Sequence, residues 1–449
     1  MRAPADDTIA ALATAAGASA IAVVRISGPD SRAIVGRVIG QMPAPRAAEL
    51  CVLRDGAGRE IDRGLALFFP APHSYTGEDL IELQCHGSPI VVAWLLETLY
   101  AYGARAAGPG EFTQRAFLND KLDLAQAEAI ADLITAGSRL AAQAALRSLA
   151  GEFSMRVTSA QQKLTELRVL CEAWLDFPED DLDAGAQAEL AARASALAAE
   201  LGAIEEHAAQ GVVLHDGLRL AIAGQPNVGK SSLLNRLAGY DAAIVTDVPG
   251  TTRDTIRERL SLGGIPLEIV DTAGLRATHD PVEREGVRRA RREIDVADHV
   301  LWIADIREGL DTALAAAAAA LPTDAPFTVV LNKADLVDAK AGPRSAGTTP
   351  VLEISALTGE GLRELVQHLR TLAGWNESID GTFSARQRHV DALRRARAHL
   401  AHATPELESR LEVAAEELRG AQAALGEITG EVTSDDLLGR IFATFCIGK

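Results

Sequence analysis

The spacing of apolar and polar positions changes character along the chain. Up to residue 118, short β-type runs (Ile21–Ile26, Gly64–Phe69, Leu80–Gln84) alternate with turn residues, and one apolar stretch, Ile90–Tyr102, has the length of a helix. This predicts an α+β domain over residues 1–118. From Glu111 the apolar residues recur at helical spacing: Leu118, Leu122, Ala125, Ala129 and Leu133 form one stripe, and the same character runs past Leu146, Leu164 and Leu167 to about Ala209. Strand and helix then alternate from Leu218 to about Leu372. The strands are Leu218–Ala223, Pro266–Val270, Phe327–Leu331 and Val351–Ile354, with helices at Ser232–Leu237 and the alanine run Ala313–Ala320. Helical period returns over Phe383–Gly426, carried by Leu393, Leu400, Leu407, Leu411, Leu418 and Leu425. Helices on both sides of an α/β unit predict an insertion, with helical parts at 119–215 and 376–449 packing as one bundle and the α/β domain at 216–375 placed between them. Two separate helical arms would leave both apolar stripes exposed.

The α/β unit carries its chemistry at the ends of its strands. Gly224, Asn227, Val228, Gly229, Lys230, Ser231 and Ser232 belong to a G-x-x-x-x-G-K-[ST] loop between a strand and a helix. The glycines let the loop close so that backbone N–H groups face phosphates, Lys230 reaches the β/γ oxygens, and the Ser231 hydroxyl ligates Mg²⁺. Asp271-Thr272-Ala273-Gly274 offers a carboxylate for the Mg²⁺ shell and a flexible glycine for sensing the γ-phosphate. Asn332-Lys333-Ala334-Asp335 places an acceptor-only carboxylate where it pairs with the two adjacent donors of a guanine edge but not with adenine. Ser355-Ala356-Leu357 adds backbone donors for the guanine carbonyl. In this order, each at a strand end, the motifs resemble those of the Ras-like P-loop GTPase superfamily, which makes GTP the expected nucleotide.

Hydrolysis needs a group to orient water. Where many Ras-like enzymes have a glutamine after D-x-x-G, this chain has Leu275, which can neither donate nor accept a hydrogen bond. Glu283 is the candidate carboxylate; its alternative is a helix-surface residue paired with Arg284 or Arg288. The Asn227 amide can ligate a monovalent cation, and Thr246-Asp247-Val248-Pro249-Gly250-Thr251-Thr252 supplies further hydroxyl and carbonyl oxygens suited to a hard ion. Arg253, Arg257 and Arg276 are alternative sources of that positive charge, and the sequence does not separate them.

With 449 residues and 48% hydrophobic content, the chain has material for two or three domains. Its net charge of −18 gives no global attraction for RNA, so any nucleic acid must be held by local patches such as Arg288-Arg289 with Arg291-Arg292, or Arg394-Arg395 with Arg397; solvated helix faces are the competing reading. Cys51, Cys85, Cys171 and Cys446 form no C-x-x-C pair and indicate neither zinc nor a disulfide framework. Residues Met1 to Asp7 lack an export pattern and the longest apolar stretch, Ile9 to Val24, is interrupted by Thr14, Gly17 and Ser19, so a cytoplasmic protein with no membrane segment is expected.

Segments outside the α/β unit narrow the assignment. Arg25-Ile26-Ser27-Gly28, Ser74-Tyr75-Thr76-Gly77-Glu78-Asp79, Pro109-Gly110-Glu111-Phe112-Thr113, the run Arg115 to Leu124, and Phe445-Cys446-Ile447-Gly448-Lys449 together closely resemble the MnmE (TrmE) family of bacterial tRNA uridine-modification GTPases, from one end of the chain to the other. The resemblance implies an N-terminal folate-binding and dimerisation domain, a discontinuous helical domain and an inserted GTPase domain. It also implies action with the flavoprotein MnmG to add a carboxymethylaminomethyl or aminomethyl group at C5 of the wobble uridine of certain tRNAs, and K⁺-dependent pairing of GTPase domains in a homodimer. Residue by residue it implies K⁺ ligation by Asn227, Thr246, Val248 (through its carbonyl) and Thr251, Mg²⁺ ligation by Ser231 and Thr252, and a catalytic Glu283. A one-carbon folate such as 5-formyl-tetrahydrofolate would be held by Arg25, Glu82, Lys121 and Lys449; Arg and Lys suit its glutamate tail and Glu its pterin donors.

Cys446 has two readings: a thiolate that attacks uridine C6 to activate C5, or a residue with a packing or folate-pocket role, the latter being favoured because its neighbours Phe445 and Ile447 are apolar. Against the family pattern, Gly17-Ala18-Ser19-Ala20 is poorer in glycine and Cys85 precedes His86 where glycine is common. The alternatives to the tRNA-modification function are an Era- or Der-like ribosome-assembly switch, which would carry a KH-like module after the GTPase domain, and a helical scaffold that uses GTP only to dimerise.

Overall fold

Near the N-terminus the alternating pattern folds into β1 (Ile9–Leu12), β2 (Ser19–Ser27), α1 (Ser31–Ile39), β3 (Glu49–Arg54), β4 (Glu60–Phe69), β5 (Leu80–Gly87), α2 (Pro89–Ala101) and a two-residue β6 (Arg105–Ala106). The computed structural model describes residues 7–176, 184–239, 257–271, 291–337, 342–376, Ile379, 381–407, 409–431 and 435–449. The six strands are ordered β3-β4-β5-β2-β1-β6, antiparallel apart from the β1–β6 pair. Val24, Ile26, Ile81 and Leu83 share a core with Val35 of α1 and Leu95 and Leu99 of α2, so the alternation buries one strand face under the helices.

Next come α3 (Glu111–Leu118), α4 (Leu124–Thr135), α5 (Arg139–Leu149), α6 (Glu152–Asp176) and α7 (Ala184–Asp216). The stripe expected from Leu118 to Leu133 is not one helix face. The chain turns at Asp120, whose φ of +53° is left-handed, so Leu118 stays 42% exposed, while Ala125 and Ala129 of the expected stripe are buried in α4 together with Leu124 and Ala127.

The α/β segment holds β7 (Leu218–Gly224), α8 (Lys230–Ala238), β8 (Arg257–Leu262), β9 (Ile265–Asp271), β10 (His299–Asp305), α9 (Leu310–Ala320), β11 (Phe327–Asn332), β12 (Gly342–Ala346), β13 (Thr349–Glu353) and α10 (Leu362–Leu372). Its sheet runs β12-β13-β11-β10-β7-β9-β8, parallel through the centre with an antiparallel pair at each edge. Every residue of β10 is buried, as expected for a central strand covered on both faces. Leu233 and Leu237 of α8 and Leu365 and Leu369 of α10 join one core cluster; Ala313 and Ala317 of α9 pack with Trp302 in another.

The helical period over Phe383–Gly426 divides into α11 (Gln387–Glu406) and α12 (Leu411–Thr429), and a further helix, α13 (Asp435–Ala443), follows. Helices from the two sides of the α/β segment pack together: the Cys171 Sγ–H of α6 donates to the Leu411 carbonyl of α12 at 3.6 Å, and Arg168 donates to Gln422. The chain divides into two compact units, one comprising Met1–Ala131, Leu149–Leu197 and Arg395–Lys449, the other Asp132–Ser148 and Ala198–Arg394. No helix among the described residues is long and apolar enough to cross a membrane.

Candidate nucleotide-binding site

Strand order brings the expected loops to one edge of the seven-stranded sheet. β10 lies between β7, which ends in the glycine loop, and β11, which ends at Asn332; in register, Ile303 stands opposite Gly224 and Asp305 opposite Asn332. The carboxyl edge of such a sheet is where open α/β folds form their ligand crevice.

Close approach fixes both loop glycines. Gly224 has φ +146° and a Cβ there would lie 2.1 Å from the Ile303 carbonyl oxygen; Gly229 has φ +97° and a Cβ would lie 2.3 Å from Asn332 Nδ2. Helix α8 starts at Lys230, with Ser231 exposed in its first turn, where backbone N–H groups have no intrahelical acceptor and favour an anion. The Lys230 ammonium donates to the carbonyls of Gly224 at 3.0 Å and Gln225 at 2.8 Å, which keeps it over the loop.

One buried amide ties three loops together. Asn332 Nδ2 donates to the Val228 carbonyl at 2.8 Å, while its Oδ1 accepts from the Ala356 N–H at 2.9 Å. Lys333, itself at φ +69°, donates through Nζ to the Asn227 carbonyl and to Asp305 Oδ2, both at 2.8 Å. The Ser355 hydroxyl donates to the Asp335 carboxylate and accepts from the Thr358 N–H at 3.1 Å. Arg236 of α8 donates to the carbonyls of Ala356 and Leu357, which secures the backbone of that last loop. Asp335 is exposed, so its carboxylate can meet a ligand.

A second cluster lies in the N-terminal sheet. Arg25 on β2 and Glu82 on β5 are register partners, and the guanidinium donates from Nε and Nη2 to Glu82 Oε1 at 3.0 and 2.8 Å. Its carbon lies 5.3 Å from the Tyr75 ring centre and 5.7 Å from that of Phe112, and Nη1 donates to the Gly448 carbonyl at 3.3 Å. The C-terminal tail reaches this cluster because the Gly110 N–H donates to the Cys446 carbonyl and Pro109 bridges to Ile447. Burial, with the Arg25 charge adding to it, pushes the Lys449 ammonium below the usual lysine range.

Both ends of the chain and its middle match one set of known proteins. The description "MnmE helical domain" matches residues 124–446 and "GTP-binding protein TrmE N-terminus" matches residues 8–121. The chain is 51% identical to the tRNA modification GTPase MnmE of Nitrosococcus oceani over 445 residues, 99% of this chain and 97% of that one. It is 52% identical to the protein of that name from Alkalilimnicola ehrlichii, covering 98% and 99% of the two chains, and 50% identical to that of Methylococcus capsulatus, covering 100% of each. The chain belongs to the MnmE family of tRNA modification GTPases. Era from Aquifex aeolicus, bound to GDP and aluminium fluoride, shares 26% identity over 40% of this chain and 66% of that one, with a TM-score of 0.28 that carries no statement about the whole fold.

The residues that the MnmE resemblance implicates divide by location. Arg25, Glu82 and Lys449 come together, whereas Lys121 is exposed and donates to the Pro72 carbonyl at 2.9 Å. Asp271 closes β9. Thr246 to Thr252, Thr272 to Gly274 and Glu283, together with Arg253 and Arg276, lie outside the described residues. Cys446 corrects the expectation of a packed residue: it is exposed, on the same tail whose Gly448 carbonyl accepts from Arg25. Phe445 turns inward against Phe442, ring centres 5.4 Å apart, and its two successors face outward, Ile447 being 59% exposed. Arg394 pairs with Glu205 and Arg395 with Glu427, which fits an ion-paired helix face.

Asp305 was not singled out from sequence. It ends β10, is 5% exposed, and binds both Arg307 and Lys333, whose hydrogen bonds hold its carboxyl well below the usual range. The available signal was an acidic residue closing the strand between the two nucleotide motifs.

Proposed function

We propose that the chain is the GTP-hydrolysing component of a complex that adds a (carboxymethyl)aminomethyl group to C5 of the wobble uridine of certain tRNAs, with tetrahydrofolate as the one-carbon source. The observation that carries the GTP half is the Asn332 amide, which links the glycine loop to the Ser355–Ala356 loop, so phosphate-binding and base-binding segments form one framework. On this reading the N–H groups of Asn227 to Ser232 receive the phosphates, Lys230 neutralises the β/γ oxygens, and Asp335 pairs with the guanine edge. Ser231 and Thr252 are assigned to Mg²⁺, with Asp271 in its outer shell. Asn227, Thr246, Val248 and Thr251 are assigned to K⁺, which supplies positive charge beside the phosphates. Glu283 orients the attacking water, since Leu275 cannot.

The chemistry of the N-terminal cluster fits a folate. Arg25 and Lys449 offer cations to a glutamate tail, Glu82 an acceptor to pterin donors, and Tyr75 and Phe112 apolar ring faces. Residues 1–118 would form the folate-binding and dimerisation domain, 119–215 and 376–449 the helical domain, and 216–375 the GTPase domain, working as a cytoplasmic homodimer with MnmG and tRNA. The described residues after α10 form α11, α12 and α13, which gives the ribosome-assembly reading no KH-like module to act through. Nucleoside analysis of tRNA from a strain lacking this protein tests the proposal. Unmodified wobble uridine, restored by the wild-type chain, is expected; a modification level equal to that of the parent strain would refute it.

A further inference from the structure

We propose that Asp305 is a positioning residue for GTP hydrolysis, acting through Lys333 to fix the backbone of Asn227 in the phosphate loop. Three observations lead there. First, β10 is the strand between β7 and β11, and Asp305 is its last residue, in register with Asn332. It therefore sits in the gap between the glycine loop and the guanine motif, where no other strand intervenes. Second, the contacts form a chain: the Asp305 carboxylate accepts from Lys333 Nζ at 2.8 Å, and the same Nζ donates to the Asn227 carbonyl at 2.8 Å. Arg307 also grips the carboxylate, with Nε to Oδ1 at 2.9 Å and Nη2 to Oδ2 at 2.6 Å. Third, Asn227 and Lys333 are both left-handed, at φ +64° and +69°, a conformation that asparagine tolerates but that is uncommon for lysine.

A lysine side chain has many rotamers, and an ammonium on a flexible stem positions nothing unless its other contacts are fixed. A carboxylate with a side-chain exposure of 8% is such an anchor, because ion pairs strengthen as water is excluded. With Lys333 anchored, its hydrogen bond to the Asn227 carbonyl restrains ψ at Asn227, and with it the backbone from which the Asn227 side chain leaves the loop. Losing the charge at Asp305 frees Lys333 and lets that peptide rotate. Asp335, which reads the base, is held separately by Ser355, so base selectivity is insulated from this clamp.

A double-mutant cycle tests the inference on the full-length protein, with kcat and KM for GTP measured in K⁺ buffer for wild type, Asp305→Asn, Lys333→Met and the double variant. Asp305→Asn should lower kcat/KM on the order of 10-fold, the loss of one charged hydrogen bond. The double variant should be no worse than Lys333→Met to within about twofold, since both changes remove one linkage. Preference for GTP over ITP should be unchanged in Asp305→Asn. Additive losses, or lost base preference, would overturn the proposal; Asp305→Ser replaces Asp305→Asn if the latter does not fold by circular dichroism. The salt readout rests on the reading of Asn227 as a K⁺ ligand: the K⁺ concentration giving half-maximal turnover should rise in Asp305→Asn. An unshifted midpoint in an enzyme whose wild type requires K⁺ would also count against the clamp. Equal wild-type turnover in K⁺ and Na⁺ would sink the cation reading and leave the cycle to decide the proposal.

Discussion

Replacing Gly229 by alanine probes the nucleotide framework with one methyl group. The added Cβ would stand 2.3 Å from Asn332 Nδ2, far inside van der Waals contact. Asn332 cannot yield freely, because Nδ2 is bonded to the Val228 carbonyl at 2.8 Å and Oδ1 to the Ala356 N–H at 2.9 Å, and the residue is 2% exposed. Moving it breaks at least one of these bonds and leaves a buried polar group unpaired, at about 1–3 kcal/mol. Holding alanine at φ +97° adds roughly 1–2 kcal/mol. The sum, about 2–5 kcal/mol, falls on the loop conformation that binds phosphate, so affinity for GDP should drop roughly 30-fold or more. Titration of a fluorescent GDP analogue measures this, with circular dichroism confirming that the variant is folded. A folded Gly229→Ala protein that binds GDP within about threefold of wild type would refute the reasoning that Asn332 is a rigid tie between the loops.

Further expectations concern other parts of the molecule. His215 Nε2 faces Asp132 at 3.2 Å and Nδ1 faces Asp216 at 2.7 Å, and these carboxylates push its pKa up to about 9. Because the folded value lies above the unfolded one of about 6.5, the stabilisation is complete below that pH and fades as pH rises through about 9. The melting-temperature gap between wild type and His215→Gln should thus be widest near pH ~6 and close by pH ~10; a gap independent of pH would contradict the pairing. Glu283→Ala should keep GDP affinity while losing about 10²-fold or more in kcat; unchanged turnover would remove Glu283 from the mechanism. Arg25→Ala leaves Glu82, whose side chain is 19% exposed, without this cation. Its affinity for 5-formyl-tetrahydrofolate by calorimetry should fall roughly 10-fold or more, with GTP turnover preserved; unaltered folate binding would dissociate this cluster from the cofactor.

What could be read from sequence follows the strength of the local signal. The strands carrying nucleotide motifs were legible because central parallel strands are mostly apolar and these end in glycine or a polar residue. Strand β3, an edge strand with mostly exposed or half-exposed positions, left no comparable pattern, and four-residue β1 was too short to show one. Helical spacing persisted across the break at Asp120 because a left-handed turn needs no glycine or proline to announce it. Among site residues, the pairing of Arg25 with Glu82 depends on strand register, and docking of the C-terminal tail on Arg25 is a contact 423 positions apart; neither follows from spacing. Asp305 escaped notice for the same reason, its meaning being set by the strand order that puts β10 between two motifs distant in the chain.

On the proposed mechanism, Glu283 takes the place of the missing glutamine and a monovalent cation beside Asn227 supplies positive charge to the phosphates. GTP turnover by the purified protein in matched K⁺ and Na⁺ buffers tests it most directly. The proposed K⁺ ligation predicts turnover that is strong in K⁺ and weak in Na⁺. Equal rates in the two salts would contradict it and assign the missing charge to an arginine or to an external activator.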